Sequence, residues 1–514
     1  VATALAACGV VPEEESAEDD LALTSTPEDP IAVPRAGTVL TDLSQPALMQ
    51  ALEERGLHFG RHFGVTTPVS NQELARRAPL YRSIADDLAS DLNAHRARDP
   101  KLSTQVAHQV TRILDKGWLV TDYARFELTG IVNRLDRMVT NDGTCGEVRF
   151  LYRLAYTRRK ANAADVSYSR LPVVANVVYS VPRAEGASLE SCRAAAASWT
   201  VPSGVASASA FVGHVSDKVA NLPELVFKQV EINAQLLRMP SESKTDMAGL
   251  AEYAFRIYGL EDGRPVQRPL ENTPDVPRLE SDPALKEELA PYLRAHVAEI
   301  DDGTIVLPEK FLAKKINAFA TFGSARRVNK PFTRLFYDAE KRSAPALEGA
   351  DLSKTSYVAS LAGLVARLDD LTCTGCHQGG RSVAGFHFLG EDSLARSHPL
   401  NVARVGVSPH FVEERHRRKA FLEALGGGRE LPRFRPLSFA PARPERAAPS
   451  GAPCLLPAST AAFKERFACD RGLSCVALAE NSALAVGLGQ CLPALRGSGG
   501  AQTYSKEVAG LPCM

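Results

Sequence analysis

Five consecutive residues, Cys373-Thr-Gly-Cys376-His377, restrict this chain more than any other feature of it. Two thiols three positions apart near a helix end can each form a thioether to a vinyl group of one porphyrin. A His directly after the second Cys then lies beneath the iron as its proximal ligand. The segment therefore reads as the attachment site of one covalent haem c, anchored at Cys373 and Cys376 and ligated by His377. Two other uses of paired cysteines fit less well. A redox C-x-x-C is expected in a βαβ context, whereas here a helical pattern precedes and Gly379-Gly380 follows. A zinc site needs a second ligand pair at matched spacing, and the chain has no second C-x-x-C. The single motif also excludes a multi-haem wire and the two-haem arrangement of bacterial cytochrome c peroxidases.

The sixth iron ligand stays open at this level. No Met follows the motif until Met514, so the Met ligand of small class I cytochromes c has no counterpart at its usual distance. The first possibility is a downstream His. His387, in Gly385-Phe-His-Phe-Leu-Gly390, leads because it is close, is flanked by aromatics and follows a Gly-rich turn; His398, His410 and His416 come after it. The second is Met239, in Arg238-Met-Pro240, far upstream. The third is water on an open iron. Two strong ligands make an electron carrier or sensor, whereas one leaves a position for oxygen, peroxide or another small molecule.

Maturation of haem c takes place after export, and the N-terminus carries a matching signal. Leu5-Ala-Ala-Cys8 resembles the lipobox of bacterial lipoproteins. Residues 1–8 then read as the end of a signal peptide, with Cys8 as the lipidated residue and Gly9 directing it to the outer membrane. Residues 9–41 are acidic, contain Pro and lack periodicity, as a disordered tether does. No stretch approaches the ~20 apolar residues a spanning helix needs, so the expected membrane contact is the lipid alone. Lys plus Arg and Asp plus Glu are equal at 60 each, and no basic stripe speaks for nucleic acid.

Periodicity gives the expected architecture, an α+β chain in several parts. Residues 42–124 read as helical, with Val106, Val110, Ile113 and Leu114 in the last such run. Residues 125–280 read as a β-rich domain of sandwich or barrel type. Apolar residues alternate at 148, 150, 152, 154 and 156, strands are expected over 171–181 and 222–237, and a hairpin over 251–266 turns at Asp262-Gly263. Residues 281–430 read as a helical, cytochrome c-like haem domain, with helices over 283–300, 308–322 and 356–371. In the last of these Val358, Leu361, Leu364, Val365 and Leu368 form one apolar face. Residues 431–453 are a Pro/Arg-rich linker or strapped-down segment, and 454–514 a small disulfide-rich module.

The cysteines sort accordingly. Outside the cytoplasm most thiols pair, and Cys145 and Cys192 are the two of the β-rich region, so they are expected to bridge. Cys454, Cys469, Cys475, Cys491 and Cys513 leave one thiol over, and the sequence does not choose among their pairings. Arg134, Asp136, Glu147 and Arg149 read as a buried or semi-buried ion network bracing the sheet, and Arg415-His-Arg-Arg-Lys419 as a basic helix face, solvated or, as the alternative, near the haem propionates. The run around Asn141-Asp-Gly143 is too short for an EF-hand. No nucleophile elbow, phosphate loop or dinucleotide fingerprint occurs.

Taken together, Asn133-Arg-Leu-Asp136, Cys145-Gly-Glu147, Gln229-Val-Glu-Ile-Asn233, Cys373-Thr-Gly-Cys-His-Gln378 and Gly385-Phe-His-Phe388 resemble a family of large exported bacterial mono-haem c-type cytochrome-domain (lipo)proteins. In that family a β-rich half carries a Cys-Gly-Glu motif and one C-x-x-C-H site follows. The resemblance covers roughly residues 125–400 and implies haem binding and export, without a substrate. The sequence thus points to electron transfer or redox chemistry outside the cytoplasm, with a redox protein or small molecule as partner. A haem-dependent peroxidase or oxygenase is the first alternative, favoured by the large body of the chain. A surface binding protein with structural haem is the second.

Overall fold

The structure, a computed structural model, describes residues 30–104, 111–140, 143–159, 166–183, 189–238, 251–320, 329–338, 340–341, 343–355, 358, 360–377, 385–389, 408–433, 435, 453–455, 473–477 and 488–493. Cys8, Met239, His398, Cys469 and Cys513 lie outside these residues, as do the side chains of His416, Cys454, Cys475 and Cys491.

A nine-stranded antiparallel sheet organises the chain. Its strands are β1 (Asp42–Leu43), β2 (Arg112–Ile113), β3 (Ala124–Arg134), β4 (Glu147–Arg159), β5 (Val166–Ser180), β6 (Val226–Arg238), β7 (Ala251–Glu261), β8 (Arg264–Arg268) and β9 (Lys315–Ala320). From β3 to β8 they run as a meander, with β1 on the outer side of β3, β2 on the end of β6 and β9 beside β8 along β7. The expected hairpin is present, turning at Asp262-Gly263.

The expected sandwich or barrel is replaced by this one open sheet, because helices rather than a second sheet cover its apolar face. That face is the alternating set Val148, Phe150, Tyr152 and Leu154 on β4, with Val173, Ala175 and Val177 on β5. Against it pack α1 (Pro46–Leu52), α2 (Asn71–Arg77), α3 (Pro79–Arg98), α4 (Glu190–Ser198) and α5 (Ala208–His214). Their Leu48, Leu74, Leu88, Cys192 and Phe211 join the sheet in one buried core. The Cys145–Cys192 disulfide, Cα atoms 5.0 Å apart, ties the entry of β4 to α4 as expected.

Helices α6 (Val276–Ser281), α7 (Pro283–Ala295), α8 (Val297–Asp302), α9 (Pro331–Phe336) and α10 (Leu361–Asp370) share a second core built on Leu279, Leu293, Ile300, Phe332, Leu364 and Leu368. After α10 come the single turn α11 (Cys373–Cys376) and α12 (Pro409–Gly426). A separate small antiparallel sheet, order β10-β12-β11, is formed by β10 (Pro453–Leu455), β11 (Leu473–Ala477) and β12 (Leu488–Pro493), with Cys475 opposite Cys491 in register.

Two helical expectations fail where their residues are described, for one physical reason; Val106 and Val110 lie outside the described residues. Ile113 lies in β2, paired with Leu237, and residues 315–320 form β9, paired with 251–256. Both are short segments recruited to free sheet edges, where tertiary pairing outweighs local preference.

Candidate functional site

The second face of the sheet builds a cavity. The residues between the core positions point there: Arg149 and Leu151 on β4, Val174 and Asn176 on β5, Glu231 and Asn233 on β6, and Phe255 and Ile257 on β7. Opposite them lie Cys373, Cys376, His377, Phe386, His387 and His410. The space open to the centre of a water molecule is about 210 Å³, against the ~10–15 Å³ that one water requires.

The Cys-Thr-Gly-Cys turn is fixed by its neighbours. Helix α10 starts at Ser360, whose hydroxyl accepts from Gly363 N–H, and ends at Leu371. Thr372 then starts α11: its hydroxyl accepts from Gly375 N–H at 2.9 Å and donates to Asp369 O at 2.6 Å. A Cβ at Gly375 would lie 1.9 Å from Asp369 O, so no larger residue fits between the two cysteines there. Cys373 N–H donates to Thr273 Oγ1 at 3.0 Å, pinning the turn to the segment after β8. Neither thiol is in a disulfide. Burial pushes the Cys373 thiol up to about 12, so it stands as the neutral thiol.

His377 ends the turn beside the sheet. Its Nδ1 lies 3.0 Å from Gly385 O, which also accepts from Asn233 Nδ2 at 2.8 Å. Asn233 Nδ2 also lies 3.2 Å from Nδ1, so Nδ1 faces one acceptor and one donor. As Nδ1–H it donates to Gly385 O, which leaves the lone pair on Nε2; unprotonated, it accepts from Asn233. The Phe255 ring packs 4.8 Å from the imidazole, and burial lowers the His377 pKa to about 4, keeping the ring neutral. Gly385 has φ +79°, and a Cβ there would meet the Tyr253 ring at 2.6 Å.

His387 lies between two other histidines, 4.2 Å from the His377 ring and 4.6 Å from the His410 ring. Its Nε2 is 3.4 Å from Cys376 Sγ. His410 reaches this place because Ser408 N–H, at the start of α12, donates to Phe388 O at 2.9 Å. One donor atom each from Cys376, His387 and His410 fall within 4.8 Å of one another.

Around the cavity runs a layer of buried ion pairs. Asp136 bridges Arg134 at 2.9 Å and Arg417 at 2.6 Å. Glu414 joins Arg417 to Arg418, and Arg418 reaches Asp42 at 3.1 Å. Glu147 meets Arg149 at 2.6 Å and Lys228 at 2.8 Å, and Arg149 reaches Glu231 at 3.1 Å. Burial alone would raise the Glu147 carboxyl; Arg149, Arg137 and Lys228 hold it far below the ordinary carboxylate range. The network expected from Arg134, Asp136, Glu147 and Arg149 is therefore real. The 415–419 run is not uniformly the solvated face expected of it, since Arg417 and Arg418 are sequestered by these carboxylates while Arg415 and Lys419 are exposed.

The site thus brings Cys373, Cys376, His377, His387 and His410 together, while Cys145 and Cys192 lie in the core on the far side of the sheet. Sequence reasoning missed the roles of Asn233 and Gly385 about His377. The signal for Asn233 was its place between the core positions Ile232 and Ala234 of β6. Comparison with protein-family models, curated proteins and solved structures finds no match to this chain. Among the described residues no helix is long and apolar enough to cross a membrane.

Proposed function

We propose that this chain holds one haem c through thioethers at Cys373 and Cys376, with His377 as proximal and His387 as distal ligand, and that it transfers electrons outside the cytoplasm. The observation that carries the reading is the 3.0 Å contact from His377 Nδ1 to Gly385 O. Iron-ligating histidines characteristically donate their other ring N–H to a carbonyl or carboxylate, which sets the tautomer and aims the second nitrogen. Here that orientation coincides with two thiols outside any disulfide and a second His on one cavity. When bound, haem supplies a one-electron couple.

The surrounding residues do the rest. Gly385 O accepts from His377 Nδ1–H and is itself positioned by Asn233, Phe255 and Phe386 line the cavity with apolar surface, and His387 offers a second nitrogen donor. The lipobox reading adds a partner-accessible position on the outer membrane, tethered through Cys8.

A second reading rests on the convergence of Cys376, His387 and His410. One thiolate and two imidazoles suit a single zinc or similar transition metal. The two readings exclude each other at Cys376, whose sulfur becomes a thioether in the first.

The deciding experiment is the visible spectrum of protein matured in an exporting host, oxidised and reduced, with and without carbon monoxide, together with metal analysis. The haem reading expects c-type bands, low-spin iron and indifference to carbon monoxide; His387→Ala should then bind carbon monoxide, while His410→Ala should not. A wild-type protein that itself binds carbon monoxide would move the function to peroxide or oxygen chemistry. Stoichiometric zinc without c-type bands would replace the haem reading by the second one.

A further inference from the structure

We infer that the end of the cavity bounded by Arg134, Arg137 and Arg435 is a carboxylate-binding site. Under the reading proposed above, on which this assignment of the ligand rests, its occupants are the two propionates of the bound haem.

The inference rests on which guanidiniums find a partner. Arg134 and Arg417 share Asp136, Arg417 and Arg418 share Glu414, Arg418 also meets Asp42, Arg149 meets Glu147 and Glu231, and Arg137 meets Glu271 at 2.7 Å. Arg435 also lines the cavity, yet no carboxylate pairs with it among the described residues. Its Nε–H is buried without an acceptor, and so is that of Arg137. Arg435 has no carboxylate at ion-pair distance among the described residues, and two arginines that line the cavity each keep one N–H without an acceptor, which is what a bound anion would satisfy.

Arg435 does not reach this place by accident of a loose segment. Its N–H donates to Asp302 O at 2.8 Å, and its carbonyl accepts from Arg367 Nη2 at 2.7 Å. The Arg435 Cβ packs at the turn of Gly303, 3.2 Å from where a Cβ on that glycine would stand. Burial, with the neighbouring Arg134, Arg417 and Arg137 cations, lowers the Arg435 pKa to about 10, against the pull of Glu414. A charge held under that stress gains from any carboxylate brought beside it.

A carboxylate or similar oxyanion can come from the haem or from solution, and the test separates the two. Haem content and reduction midpoint are measured across neutral pH for the wild type, R435Q and R435K. The expected result is equal haem content, a more negative midpoint in R435Q because the lost cation favours ferric iron, a displaced pH dependence, and recovery in R435K. Sulfate should then leave the melting temperature of the loaded protein unchanged, the propionates already holding the site. If haem is present and the R435Q midpoint and pH profile coincide with those of the wild type, the assignment falls while the haem reading stands. If the wild type carries no haem, the haem reading falls; millimolar sulfate should then raise its melting temperature and fail to do so in R435Q. No effect of sulfate on that haem-free wild type would overturn the site itself. Should R435Q fail to fold, R435K and the sulfate titration of the wild type decide by the same criteria.

Discussion

His377 Nδ1 and the carbonyl oxygen of Gly385 stand 3.0 Å apart, eight residues along the chain, and that carbonyl is aimed by a backbone conformation at φ +79°. Gly385 therefore does two things that no other residue could. It adopts the left-handed region cheaply, and it leaves room for the Tyr253 ring, which a Cβ would strike at 2.6 Å. Gly385→Ala is expected to cost roughly 1–3 kcal/mol of stability and to turn the carbonyl away from His377. Urea unfolding reads the first effect, and a shifted reduction midpoint of the haem-loaded protein reads the second. A variant with wild-type midpoint would mean that the carbonyl does not orient the ring.

What the sequence could and could not reveal follows from the range of each interaction. The Cys373–His377 motif is legible because its attachment chemistry is local, and the alternation at 148–156 is legible because a half-buried strand repeats every two residues. Alternation says nothing about what covers the other face, so the place of Asn176, Glu231 and Asn233 in a cavity lining leaves no mark in the pattern. Arg417 and Arg418 read as solvated because their partners Asp136 and Asp42 lie 281 and 376 positions away. A backbone acceptor such as Gly385 O leaves no side-chain signal at all. Short edge strands such as β2 and β9 exist only through the strands they join.

The Cys145–Cys192 bridge closes a span of 47 residues. On the chain-entropy account such a loop stabilises by about 4 kcal/mol, and both sulfurs are fully buried in the main core. The double variant Cys145→Ala/Cys192→Ala should lower the urea midpoint accordingly and leave the haem spectrum unchanged, since the bridge lies across the sheet from the cavity. An unchanged midpoint would show that the bridge does not form in the folded protein.

Asp136 is the carboxylate on which Arg134 and Arg417 both depend. Although burial would raise its pKa, the guanidiniums of Arg134, Arg417 and Arg418 hold it well below the ordinary carboxylate range. Removing one partner of a buried ion pair leaves the other charge uncompensated, typically at a cost of about 3–5 kcal/mol. Asp136→Asn is expected to fall in that range and to destabilise the junction of β3 with α12. A loss below about 1 kcal/mol, the scale of an exposed pair, would show that water reaches these arginines.

His62 gives the acid limb of stability a separable component. Tyr152 O–H donates to Leu57 O at 2.7 Å, so Tyr152 Oη is left to accept from His62 Nε2–H at 2.5 Å, and Tyr179 O–H donates to Nδ1 at 3.0 Å. Every site is satisfied by the neutral ring. Burial, with smaller effects of His58 and Arg61, lowers its pKa from 6.5 to about 3. A folded pKa below the unfolded one contributes stability that is complete above pH 6.5 and is lost as pH falls toward 3, at up to about 1.4 kcal/mol per pH unit. Glu53 and Asp369 run the other way. Burial raises both to about 7, so their contribution declines as pH rises from their ordinary values of 4.5 and 3.8. The opposing slopes overlap, and the raw curve of stability against pH hides each of them. The difference between the wild type and His62→Gln isolates one, because Gln can donate to Tyr152 and accept from Tyr179 without titrating. That difference, from urea unfolding at a series of pH values, should grow as pH rises from about 4 to 6.5 and be flat above, the unfolded His value. A difference independent of pH would mean that His62 titrates alike in the folded and unfolded chain, and that the two tyrosines do not hold it neutral.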